Sequence, residues 1–155
     1  MSAVAVIARL GRLVELVDER RNRLLAQHGL NRALWDVLAS LRRQGPPYRL
    51  SPTDLYRELM RTSGAMTNRL AALERAGLVD RVPDPDDGRS TLVELTPRGR
   101  EVVDGLIPEY LAIERELLAV LDPRRQADLA GALRTLLVDL EAEHRGNRRP
   151  PRTVR

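Results

Sequence analysis

Residues 62–99 read TSGAMTNRLAALERAGLVDRVPDPDDGRSTLVELTPRG, and the pattern changes period once along them. Met66, Leu70 and Leu73 recur at helical spacing over 63–76, and Gly77 stands where a helix stop belongs. Thr62 or Ser63 supplies the N-cap. Beyond Gly77, Leu78–Val82 and Thr91–Leu95 alternate as strands around the turn-rich loop Pro83–Ser90. Upstream, Ser51-Pro52-Thr53-Asp54 is a strong helix start: Ser51 caps, Pro52 suits the first position, and Asp54 lies near the free amides. That helix is short, 52–60, with a tight break at Arg61-Thr62.

Two short helices, a tight break and a hairpin predict a winged helix-turn-helix. On a helical wheel Met66, Leu70 and Leu73 point inward, whereas Gly64, Asn68, Ala71 and Arg75 fall opposite, with Thr67 alongside. The outward face near the start, Ser63, Gly64, Thr67 and Asn68, is small or amide-bearing and suits a major groove. There Asn68 has the geometry to pair bidentately with an adenine edge. Amides at Thr62–Ala65 suit a phosphate. Arg61 and Arg75 are further phosphate candidates, and Arg89 near the hairpin tip is the candidate for a narrow minor groove. Asp87 is expected to pair with Arg89 and fix the loop.

Working outward, Ile7, Leu10, Val14, Val17 and Leu24 mark a long amphipathic helix over 3–26, stopped at Gly29. Asn31 caps a helix over 32–43 that buries Leu34, Trp35, Leu38 and Leu41; Gly45-Pro46-Pro47 ends it, and Tyr48–Leu50 is a short extended piece. Thr96-Pro97 and Asp122-Pro123 each start a further helix, 97–121 and 123–143. The predicted fold class is therefore mainly α with a small β-wing. Its expected parts are an N-terminal dimerisation helix (1–29), a winged domain (30–98), C-terminal dimerisation helices (99–144) and a basic flexible tail (145–155).

The stretch 62–99 resembles the DNA-binding region of the MarR family of transcriptional regulators. The helix pattern, the Gly77-Leu78-Val79 junction, the wing Asp87-Gly88-Arg89 and the run Leu95-Thr96-x-x-Gly99 carry the likeness. The resemblance implies a homodimer built from the first and the last two helices, a pseudo-palindromic double-stranded DNA operator, and release by a small aromatic or anionic effector. Residues 45–69 look most like the urate- and phenolate-responsive branch. That likeness aligns an anion-binding acid and two arginines with Asp36, Arg69 and Arg81, although the branch's N-terminal-helix tryptophan has no counterpart before Trp35. His28, Trp35, Asp36, Tyr56, Arg69 and Arg81 are accordingly the candidate effector residues. The bland alternative for Trp35 is a core position, and for Asp36 an ion pair.

Composition narrows the classes. With 43% hydrophobic residues, the 155-residue chain can bury one core with helical extensions. Cysteine is absent and there are two histidines, which excludes disulfides and thiol sensing and disfavours a metal site; no cofactor is expected. All 26 basic residues are arginine, and the net charge of +4 is unevenly spread: residues 1–98 carry 16 Arg and 12 acids, 99–144 carry 5 and 10, and 145–155 carry 5 and none. No Gly-rich phosphate loop or catalytic triad pattern occurs, and Gly99 and Gly105 stand alone and mark nothing, so an enzyme is not expected. No apolar run or leader suggests a membrane span or export, so a cytoplasmic location is expected. The alternative to a DNA-binding repressor is a winged module used for protein contact without specific DNA binding.

Overall fold

A computed structural model describes residues 2–59 and 63–147. In chain order it contains α1 (Ala3–Gln27), α2 (Arg32–Arg43), β1 (Arg49–Leu50), α3 (Pro52–Leu59), α4 (Ser63–Arg75), β2 (Val79–Pro83), β3 (Thr91–Leu95), α5 (Pro97–Leu118) and α6 (Pro123–Asn147). The helices start where local chemistry predicts. Asn31 Oδ1 accepts the Leu34 amide at 3.0 Å, Ser51 Oγ accepts that of Asp54 at 3.0 Å, and Thr96 Oγ1 accepts that of Gly99 at 2.9 Å. Gly29 and Gly77 both take φ of +67°, the left-handed turn that ends α1 and α4. Two bounds differ from expectation by more than one residue: α5 stops at Leu118 rather than 121, and α6 continues to Asn147 rather than 143.

The chain forms two compact units, Met1–Ile113 and Glu114–Arg155. In the first, α1 through the front of α5 enclose one core, in which Leu25, Leu38, Leu41, Leu55, Leu73, Val79 and Val103 are fully buried. The expected hairpin, β2 and β3, forms two strands of a three-stranded antiparallel sheet of order β1-β3-β2. Arg49 pairs with Glu94 and Val79 with Leu95, so the extended piece after Pro47 supplies a third strand.

Gly99 overturns the reading that it marks nothing. A Cβ there would lie 1.9 Å from the Leu78 carbonyl oxygen. Thr96 Oγ1 also donates to the Gly77 carbonyl at 2.8 Å, so the start of α5 is pressed onto the turn that follows α4. This contact fixes where α4 ends relative to the sheet.

In the second unit, Asp122 Oδ1 accepts the Arg125 amide at 2.9 Å, and Gln126 Nε2 donates to the Leu118 and Leu121 carbonyls at 3.1 and 2.9 Å. These bonds satisfy groups at both helix ends. Leu136, Leu137, Val138 and Leu140 on α6 are all exposed. No helix among the described residues is long and apolar enough to cross a membrane.

Candidate nucleic-acid interface

The wheel reading of α4 holds in three dimensions. Met66, Leu70 and Leu73 are 2%, 2% and 0% exposed, and they anchor the helix on the core. Gly64, Thr67, Asn68 and Arg75 are exposed, and Ala71 is half-buried. The face is thus held by its back, and Gly64, with open space around its Cα, allows close backbone approach. Ser63 begins the helix. Arg61 and Thr62 lie outside the described residues.

Glu74 Oε1 accepts from Arg81 Nε at 2.6 Å, tying the last turn of α4 to β2. Arg98 Nη1 donates to the Ala76 carbonyl at 3.0 Å, a cationic cap on the end of the same helix. Both restraints escaped the sequence reading, because each joins residues whose proximity is set by the sheet.

The wing loop is built by its own aspartates. Asp84 Oδ1 accepts the Asp86 amide at 3.0 Å, Asp84 Oδ2 accepts the Ser90 hydroxyl at 2.9 Å, and the Asp84 amide donates to the Ser90 carbonyl at 3.1 Å. The Asp86 amide, then the Ser90 hydroxyl, hold the Asp84 carboxyl below the usual carboxylate range. The expected Asp87–Arg89 ion pair is corrected in detail. Asp87 Oδ1 accepts the Arg89 backbone amide at 3.1 Å, the reach of a carboxylate to an amide two residues on. Among the described residues the Arg89 guanidinium has no ion pair, and it is exposed at the tip.

The effector candidates fall in separate places. Trp35 is buried and stacked on Tyr110, with centroids 5.0 Å apart. Asp36 pairs with Arg32 at 2.7 Å, and Arg32 also reaches Asp18 at 3.1 Å. Tyr56 and Arg81 share a cleft of about 250 Å³ with Pro52, Met66, Thr67 and Leu70. Arg69 is half-buried, and its Nη1 is out of solvent with no hydrogen-bond partner among the described residues. His28 lines a different cleft, with Arg75 and Arg98.

Comparison with known proteins places this geometry. A MarR family sequence model matches residues 28–90. The HTH-type transcriptional regulator PecS of Dickeya dadantii is 32% identical over 128 residues, covering 83% of this chain and 77% of that protein. The chain belongs to the MarR family. A second relative, the transcriptional activatory protein BadR of Rhodopseudomonas palustris, is 31% identical over 150 residues, 86% of each chain. Among solved MarR structures, a mutant MarR from E. coli complexed with operator DNA superposes with a TM-score of 0.68 at 28% identity, covering 88% of this chain and 99% of that one. A MarR family transcriptional regulator from Streptomyces coelicolor in complex with DNA gives a TM-score of 0.78 at 25% identity, covering 88% of each. The family is one of transcriptional regulators, not of enzymes.

Proposed function

We propose that this MarR-family protein binds double-stranded DNA as a homodimer and acts as a repressor released by a small aromatic or anionic ligand. The observation that carries the DNA reading is the uncovered face of α4: Gly64, Thr67 and Asn68 stand in solvent while Met66, Leu70 and Leu73 hold the helix from behind. Ser63, Gly64, Thr67 and Asn68 meet bases or adjacent phosphates. Arg61, Thr62, Arg75 and Arg89 supply phosphate or minor-groove contacts, and Asp87 shapes the wing.

Two features support the dimer. Val4, Ile7 and Val14 on α1 are 77%, 66% and 58% exposed, and Leu137, Val138 and Leu140 on α6 are 56%, 60% and 59% exposed. Burying an aliphatic side chain of this size is worth about 1.5–3 kcal/mol, so two such rows favour a second copy over water. A symmetric pair also presents two α4 helices to one duplex, the arrangement that reads a pseudo-palindrome.

For the effector, the cleft at Tyr56 and Arg81 supports an aromatic anion best. It joins a ring, a guanidinium and Thr67 of the reading helix. An anion there competes with Glu74 for Arg81. Asp36 and Trp35 act structurally in this reading, through Arg32 and Tyr110. The test is a titration of the protein onto the DNA upstream of its own coding sequence, with and without a panel of aromatic carboxylates. Nanomolar, sequence-selective binding that weakens with one of them is expected. Equal affinity for a scrambled duplex removes the regulator reading.

A further inference from the structure

A second cleft, of about 560 Å³, lies behind the reading helix, between the turn after α1, the last turns of α4 and the front of α5. Its volume is in the range of small-molecule sites. Three features define its chemistry. Its apolar lining is aliphatic: Leu30, Leu34, Leu73, Leu78 and Val102, with Ala72 and Ala76, and no Phe, Tyr or Trp; the one ring in the lining is the imidazole of His28. No acidic residue lines it, whereas the cleft beside Tyr48 is lined by Glu94 and Glu101 as well as Arg100.

Its two guanidinium groups, on Arg75 and Arg98, have no ion pair among the described residues. Several arginines elsewhere are matched, Arg32 to Asp36, Arg42 to Asp104 and Arg81 to Glu74, whereas Arg89 stands unpaired in solvent at the wing tip and not in a cleft. Each of the two spends one nitrogen on a helix carbonyl, Arg75 Nε on Ala71 at 3.2 Å and Arg98 Nη1 on Ala76 at 3.0 Å. Other N–H groups on both forks stay available to an acceptor.

An aliphatic floor with two unneutralised guanidinium groups and no carboxylate matches one chemical class. We infer that this cleft binds an amphiphilic carboxylate with an aliphatic body, its head group on Arg75 and Arg98 and its chain on the leucines and Val102. A bidentate carboxylate suits the fork of either arginine. Arg75 is also a DNA-phosphate candidate on the outward edge of α4. Occupancy therefore withdraws one positive charge per protomer from the DNA face. That link rests on the DNA-binding reading above; the site itself does not.

Octanoate is the probe and octan-1-ol its neutral counterpart, each titrated into the full-length protein and followed by methyl NMR. Octanoate is expected to shift the methyls of Leu30, Leu34 and Val102, and to bind at least about fivefold tighter than octan-1-ol. Arg98→Gln is expected to weaken octanoate by about tenfold and leave octan-1-ol unchanged. Because Arg98 also caps α4, Ala76→Leu serves as a second variant. It fills the cleft from an exposed position, and is expected to weaken octanoate at least about fivefold with an unchanged melting temperature. Equal binding of acid and alcohol, or shifts confined to Ile7, Val14 and Leu137, overturns the site. A DNA titration at saturating octanoate separates the two layers. Reduced affinity supports the shared role of Arg75. Unchanged affinity overturns that role with the site intact, and a protein that binds no DNA at all refutes the regulator reading while the octanoate arm still reports on the cleft.

Discussion

Arg89→Ala isolates the wing's contribution to DNA binding from its contribution to folding. The loop is shaped by Asp84 and Asp87 through the amides of Asp86 and Arg89 and the Ser90 hydroxyl. Alanine keeps the amide at position 89, so those bonds survive. What is lost is one exposed guanidinium per wing that no carboxylate among the described residues neutralises. A cation at the duplex surface releases about 0.9 of a counterion per phosphate neutralised. Two wings in a dimer therefore account for about 1.8 in the slope of log K against log salt. Over a fourfold rise in salt that difference amounts to about a twelvefold change in the relative affinities of the two proteins. Fluorescence anisotropy on one operator duplex at several salt concentrations reads both slopes, and circular dichroism checks the fold. Equal slopes, with both proteins folded, would refute the placement of the wing against DNA.

Other outcomes follow from the same geometry. Asn68→Ala is expected to cost about 1–3 kcal/mol at its own base pair in each half-site and to relax preference there, read by competition with duplexes mutated one pair at a time. Gly99→Ala drives a Cβ against the Leu78 carbonyl, 1.9 Å away, and a backbone atom cannot rotate aside. A loss near the upper end of the about 1–3 kcal/mol typical of overpacking is expected in urea unfolding. The depressed pKa of Asp84 sets the acid behaviour of the wing. A carboxyl whose folded-state pKa lies below its unfolded value stabilises at every pH above that unfolded value. The contribution declines as pH falls below the unfolded value and is lost as pH passes through the lowered folded pKa. Protection of the Asp86 amide, which donates to Asp84, is therefore expected to persist through the ordinary carboxylate range and to be lost below it.

The parts of this fold that were legible in the sequence are those whose chemistry is local. Asn31, Ser51 and Thr96 each satisfy an amide three residues on, and Gly29 and Gly77 take a backbone conformation that other residues avoid. The two faces of α4 followed from spacing alone. What was hidden depends on which distant segments meet. Arg49–Leu50 is too short to announce itself as a strand until β3 lies beside it. Gly99 and Arg98 matter because α5 begins against the end of α4. Asp36 takes its own-helix neighbour Arg32 rather than Arg69 or Arg81, since four residues on one helix face is a shorter reach than another element. Of the six effector candidates, Tyr56 and Arg81 line one cleft and His28 another, and the aliphatic cleft left no motif because its walls come from three separate segments.

Selection from a pool of random duplexes, with the full-length protein as bait, bears most directly on the exposed face of α4. The recovered sites are expected to be two inverted half-sites with centres about 10–10.5 base pairs apart, and Asn68→Ala is expected to erase the preference at one symmetric pair of positions. Recovery of no common sequence, or of a single half-site with no partner, would contradict the account.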